Sequence, residues 1–96
     1  MDLQTALSRS DNATFEVVAD EAILIHLVTG TYFSLNGIGT EFWQMLDGTA
    51  SLGDHAQTVA TKYDVDVEMV GKDLLELATK MAADDLVDIV SAETPQ

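Results

Sequence analysis

Hydrophobic and polar positions change rhythm at Asn36, from a period of two to a period near 3.6. Before it, Phe15-Glu16-Val17-Val18-Ala19 predicts a first strand, with Asp20-Glu21 as its turn. Ala22–Val28 predicts a second strand, and its nearly continuous apolar run predicts a central place covered on both faces. Thr29-Gly30 is a two-residue hairpin signal, because glycine accepts the positive φ of a tight turn. Thr31–Leu35 then predicts a third strand, with Thr31, Phe33 and Leu35 on one face and Tyr32 and Ser34 on the other.

Asn36 suits a helix N-cap, since its side-chain oxygen can accept an orphan amide of the first turn. Ile38, Phe42, Met45 and Leu46 follow at helical spacing, and Gly48 predicts the end of that helix. Phe42 and Trp43 are adjacent and so point about 100° apart. That predicts only one centred on the core, with Trp43 at its rim. Ser51-Leu52-Gly53-Asp54 resembles a capping box and opens a second helix with the stripe Leu52, Ala56, Val59, Ala60 and Tyr63. Asp64-Val65-Asp66 forms an acidic joint at the positive end of a third helix, Asp66 to Ala83. Its apolar face carries Val67, Val70, Leu74, Leu77, Ala78 and Met81. Its exposed side carries the pairs Glu68–Lys72, Lys72–Glu76 and Glu76–Lys80, each worth about 0.2–0.5 kcal/mol.

Leu86–Val90 is a short apolar segment fit for a fourth small strand. Residues 1–13 are polar and irregular and read as a flexible lead-in, residues 14–90 as one domain and residues 91–96 as a C-terminal tail. Strands followed by helices indicate the α+β class, here a winged-helix-like domain with a three-stranded antiparallel sheet followed by three helices.

Charge narrows the choice of partner. Seventeen acidic against four basic residues give a formal net charge of −13. Such a surface repels the phosphates of nucleic acids and anionic membranes, and favours a basic peptide or protein face. No apolar run approaches the roughly 20 residues of a membrane span. The segment MDLQTALSRSDN has neither the basic nor the apolar region of a secretory signal, so a cytoplasmic location is expected. Absence of cysteine removes disulfides, thiolate metal sites and thiol catalysis together.

Little catalytic chemistry is present. His26 and His55 sit on different elements without metal-ligand spacing, and His26 reads as a structural residue. Asp64-Val65-Asp66-Val67-Glu68 begins like a calcium loop, but Met69 and Leu75 stand where glycine and glutamate are required. There is no Ser-His-Asp signature, phosphate-binding glycine loop or paired-carboxylate motif, so neither an enzyme nor a bound cofactor is expected.

One pattern is more specific. Thr29-Gly30-Thr31-Tyr32-Phe33-Ser34-Leu35-Asn36-Gly37-Ile38-Gly39, then Trp43, Leu46 and Gly48, resembles the PqqD-like family in its "TG-x-Y/F-x-x-LN-x-x-G-x-x-x-W-x-x-L-x-G" signature. Tyr63, Val65, Val70, Asp73 and Leu74 meet a downstream part of the pattern. A closing "L-x-x-x-G-L" appears as Met81 and Asp85-Leu86, without the glycine. The resemblance spans Glu16 to Val90. It implies a non-catalytic recognition element for precursors of ribosomally made, post-translationally modified peptides. The leader segment of the precursor would add as an antiparallel strand to the third strand and rest against the third helix. The complex would then be presented to a modifying enzyme, such as a radical-SAM protein or a leader peptidase or cyclase.

Carried onto this sequence, the peptide-binding residues implied are Thr31, Tyr32, Phe33, Ser34 and Leu35 on the strand and Asp73, Glu76, Leu77 and Lys80 on the helix. The strand is short and free of proline, so its backbone can offer donors and acceptors to a peptide. The same open edge could pair with a second copy when no leader is bound. Three other readings compete. A winged-helix DNA-binding regulator needs a basic third helix, yet Glu68, Asp73, Glu76 and Asp84 outnumber Lys72 and Lys80. A carrier protein needs an Asp-Ser-Leu attachment site, and neither Ser34-Leu35 nor Ser51-Leu52 follows an aspartate. An accessory subunit that binds its maturation enzyme but no leader fits the sequence as well.

Overall fold

The computed structural model describes residues 1–90. The elements follow in the order β1 (Ala6–Arg9), β2 (Ala13–Val18), β3 (Glu21–His26), β4 (Tyr32–Leu35), α1 (Gly37–Met45), α2 (Leu52–Tyr63), α3 (Val67–Ala83) and β5 (Val87–Val90). The class is α+β, as the change of rhythm at Asn36 predicts. β2, β3 and β4 form an antiparallel sheet in that order. The tail at 91–96 lies outside the described residues.

The β2–β3 hairpin pairs Val18 with Glu21, so its turn is Ala19-Asp20, one residue earlier than the sequence suggests. Both turn residues take positive φ, 53° and 68°, the tight form whose twist matches the flanking strands. The apolar stretch after it is central, but covered on one face only. Ala22, Leu24 and His26 are buried, while Ile23 and Ile25 are each 42% exposed. The three helices follow the sheet in sequence and gather on its inner face, so among the described residues nothing covers the outer one.

The starts of α1 and α2 behave as their sequences require. Asn36 Oδ1 accepts from the Gly39 amide at 3.2 Å. Ser51 Oγ accepts from Asp54 N–H (3.1 Å) and Asp54 Oδ2 accepts from Ser51 N–H (3.2 Å), completing the capping box. α1 stops at Met45, short of Gly48, whose amide instead donates to the Leu7 carbonyl at 3.0 Å. The i,i+4 pairs expected along α3 do not form: among the described residues the ion pair between a lysine or arginine and a carboxylate is Lys62–Glu41.

Phe42 and Trp43 are both fully buried, which corrects the expectation that Trp43 lies at the rim. The reason is the place of α1, sandwiched between the sheet and α2. Phe42 meets the His55 ring of α2 edge-on, with centroids 5.8 Å apart. Trp43 turns the other way and meets Phe15 of β2 at 5.6 Å. Two directions about 100° apart are therefore both interior.

The other correction concerns the N-terminus. Ala6–Arg9, assigned to a flexible lead-in, is a strand that pairs antiparallel with β5, from Ala6↔Val90 to Arg9↔Val87. Leu7 is fully buried, and the Arg9 guanidinium lies 5.4 Å above the Phe15 ring. The apolar segment at the chain end thus forms its strand with the chain start.

Where α3 gives way to β5, Asp85 occupies the glycine position of the family pattern with φ +58°. Aspartate tolerates this left-handed conformation better than most residues, and here its carboxylate is tied down. His26 Nδ1 accepts from the Val28 and Thr29 amides at 3.2 Å each, which leaves the ring hydrogen on Nε2. Nε2 then donates to Asp85 Oδ2 at 2.9 Å, and Asn12 Nδ2 donates to the same oxygen at 3.2 Å. These two hydrogen bonds hold the Asp85 carboxyl below its usual range. His26 is structural, as expected: it couples the β3–β4 turn to the end of α3.

His55 carries a pH dependence. Burial lowers its pKa from 6.5, partly opposed by the charges of Asp47 and Asp54, and its Nε2 has no partner among the described residues. The unfolded chain therefore takes up the His55 proton before the folded one, and the stability contributed by the neutral ring is lost as pH drops below about 6.5. Asp85 and Asp47 hold depressed pKa values and titrate below this window. His55→Phe keeps a ring against Phe42 but cannot titrate. Its urea midpoint should change less between pH 7 and pH 5.5 than that of the parent protein; equal slopes would contradict the assignment.

Candidate functional site

The backbone of β4 is divided between two uses. His26 N–H donates to the Thr31 carbonyl at 2.8 Å, and the β3–β4 register sets Leu24 against Phe33 and Ala22 against Leu35. By the alternation of antiparallel ladders, Thr31, Phe33 and Leu35 spend their backbone groups on β3. Tyr32 and Ser34 then direct their N–H and C=O groups outward, into the open edge of the sheet. Proline at Ser34 would delete an outward donor and leave the ladder to β3 intact.

Beside this edge runs α3, and between them lies a cleft of about 480 Å³. Phe33, Ser34, Leu35, Asn36, Ile38 and Gly39 form one wall, and Asp73, Leu74, Glu76, Leu77 and Lys80 the other. The helix residues recur every three or four positions, which places them on one stripe of α3. Leu35 and Leu74 are buried at the base, and Leu77 is half-buried above them. Gly39 lets α1 sit close: a Cβ there would lie 3.3 Å from Leu35 Cδ2. The Lys80 ammonium lies 5.5 Å above the Phe33 ring. An adjoining shallow hollow, bounded by Tyr32, Phe33, Ser34, Lys80 and Asp84, carries the cleft past the start of the strand.

Of the nine expected residues, Tyr32, Phe33, Ser34, Leu35, Asp73, Glu76, Leu77 and Lys80 border this continuous concavity. Thr31 does not; it belongs to the turn, where its amide donates to Thr29 Oγ1 at 3.2 Å. The sequence reading missed Asn36, Ile38, Gly39, Leu74 and Asp84. Ile38 is 40% exposed on a helix stripe assigned to the core, and Asp84 continues the spacing of Leu77 and Lys80 by one turn. Chemically the cleft offers two outward backbone residues, an apolar floor and walls carrying both signs of charge. Among the described residues no group of three or more His, Cys, Asp or Glu is placed to hold a metal ion. No described helix is long and apolar enough to cross a membrane.

An open sheet edge above a helix-walled apolar groove has the geometry that strand addition requires. Residues 21–87 match the family model described as coenzyme PQQ synthesis protein D, and the chain belongs to this PqqD family. It is similar to the solved structure of TbiB1 in complex with the TbiA(beta) leader peptide, at 27% identity and a TM-score of 0.76. That alignment covers 92% of this chain and 99% of the other. None of the curated proteins compared matches the sequence.

Proposed function

We propose that this domain is a non-catalytic chaperone for a ribosomally made precursor peptide. It binds the leader segment as an added strand on β4 and presents it to a modifying enzyme. The observation that carries this reading is the pairing of outward Tyr32 and Ser34 backbone groups with the groove between β4 and α3. Membership of the PqqD family and the similarity to a domain solved with a leader peptide support it. The enzyme served is of the radical-SAM or the leader peptidase or cyclase kind, and the work is done in the cytoplasm, where precursors are made. Without leader, the same edge is open to a second copy.

Backbone bonds supply affinity that tolerates sequence change, and Leu77 with the Phe33 ring selects side chains along the leader. The net charge of −13 favours leaders with lysine or arginine, so binding should weaken as salt rises. The test is fluorescence anisotropy of a labelled peptide copied from the start of a short reading frame beside this gene. Ser34→Pro should abolish binding while circular dichroism shows a folded domain, and Leu77→Asp should weaken it about tenfold or more. Phe33→Pro, which breaks the ladder to β3, serves as the unfolding control. Unchanged binding by folded Ser34→Pro protein would overturn strand addition. Failure of every neighbouring peptide, with tight binding of a neighbouring enzyme, would make the domain an accessory subunit.

A further inference from the structure

The sheet has a second open edge. β2 lies at the end opposite β4, and Leu27 N–H donates to the Asn12 carbonyl at 2.7 Å, which fixes the ladder phase of the β2–β3 pair. By the same alternation as on β4, Thr14 and Glu16 bond to β3 while Phe15 and Val17 turn their N–H and C=O groups outward. Ala13 adds its carbonyl; its amide is already engaged by Ser10. Both sheet edges thus present two complete outward residues.

They share a second feature. Under the β2 edge lies a cleft of about 490 Å³ lined largely by polar side chains, bounded by Val17 and Asp20 of the hairpin, Gly37, Thr40, Glu41, Gln44 and Met45 of α1, and Lys62 and Tyr63 of α2. A strand added to β2 would set alternate side chains over this cleft, as a strand on β4 would over the groove beside α3.

Charge selects the occupant. From residue 13 to residue 35 the chain carries Glu16, Asp20 and Glu21 and no lysine or arginine. Within the cleft, Lys62 is already bound to Glu41 at 2.9 Å, and Arg9 is turned onto the Phe15 ring. A second copy fits poorly. Two β2 edges pairing about a two-fold axis, with Phe15 opposite Val17, bring Glu16 directly against its counterpart. Centring the axis on Phe15 or Val17 leaves the two glutamates diagonal on one face. Like charges so placed oppose pairing.

We propose that the β2 edge is a second strand-addition site, and that its occupant is an exposed edge strand of the modifying enzyme. That strand sets apolar side chains beside the exposed Phe15 and Val17 and carries lysine or arginine opposite Glu16. The proposal rests on the reading of β4 as the leader edge, since it gives leader and enzyme opposite margins of one sheet. Delivery then needs no exchange of partners.

The probe is a short synthetic peptide alternating lysine and valine, titrated into the isotope-labelled domain and followed by NMR. Amides of Phe15 and Val17 should shift and gain protection from exchange, in Ser34→Pro protein as in the parent. A peptide of the same composition with its lysines grouped together should bind about tenfold more weakly or worse. Val17→Pro removes one outward donor and should abolish the effect. Glu16→Lys, which leaves the backbone alone, should transfer the preference to a peptide alternating glutamate and valine. Both variants should still take up leader on β4. Equal binding of the grouped peptide, shifts confined to β4, or self-association through β2 would each overturn the proposal. Loss of leader binding by Ser34→Pro with the β2 response retained separates the two edges. A β2 response without leader binding by the parent protein would refute the β4 reading alone.

Discussion

Trp43→Ala is expected to lose about 3–5 kcal/mol of stability, the range for removing a large buried aromatic and leaving a cavity. Domains of this kind hold only about 5–15 kcal/mol in all, so the variant should be largely unfolded on mild warming. Trp43 is fully buried, packs edge-on against Phe15 and lies 5.9 Å beneath the Arg9 guanidinium. One side chain therefore joins α1 to β2 and to β1. Its indole Nε1 has no hydrogen-bond partner among the described residues. Trp43→Phe should accordingly cost much less than alanine, because no hydrogen bond is lost and most of the ring contact survives. Urea denaturation followed by circular dichroism measures both variants, since the chain has one tryptophan and fluorescence would be lost. A cost below about 1 kcal/mol for alanine would place Trp43 at a rim that can rearrange around the gap.

Leu7→Ala should cost about 2–5 kcal/mol, as for other buried leucines, although the sequence around it has no strand-like pattern. Leu7 is fully buried, and its carbonyl accepts from the Gly48 amide. Leu3, four residues earlier and 42% exposed, is the matched control: Leu3→Ala should cost less than about 1 kcal/mol. Were residues 1–13 a loose lead-in, the two substitutions would be equally harmless. Hydrogen exchange offers an independent reading, because amides along β5 should lose protection in Leu7→Ala before those of β3 do.

The pair of substitutions marks where local pattern stops being informative. β3 and α3 each carry enough apolar positions at one period to declare both type and inner face. β1 has four residues, of which only Ala6 and Leu7 are apolar, and its partner strand begins at Val87. No window along the chain contains both halves of that pair, and neither half is stable without the other. The fate of Trp43 was hidden for a related reason. A sequence shows the angle between neighbouring side chains on a helix, but not how many sides of that helix are covered.

The candidate groove divides in the same way. Its strand wall was legible because alternation in Thr31–Leu35 separates Phe33 and Leu35 from Tyr32 and Ser34. The helix wall was reached through the family pattern, and one helical period from Asp73 to Lys80 then kept its members on one face. Which backbone groups of β4 point outward follows from the phase of its ladder with β3, and hydrogen bonds such as that from His26 to Thr31 set that phase. Ile38 was assigned to the core because helical spacing cannot distinguish a position above a filled interior from one above an open cleft.

The sequence by itself determined the α+β class, the order of the central strands and helices, the caps at Asn36 and Ser51, and the acidity that bounds the choice of partner. Each of these is set within a few residues or by a sum over the whole chain. Tertiary structure decided the closure of the chain ends, the double burial of Phe42 and Trp43, the bare outer face of the sheet and the two clefts under its edges. All of these depend on which surfaces meet across long separations in sequence, and burial is a property of the packed pair rather than of either residue alone.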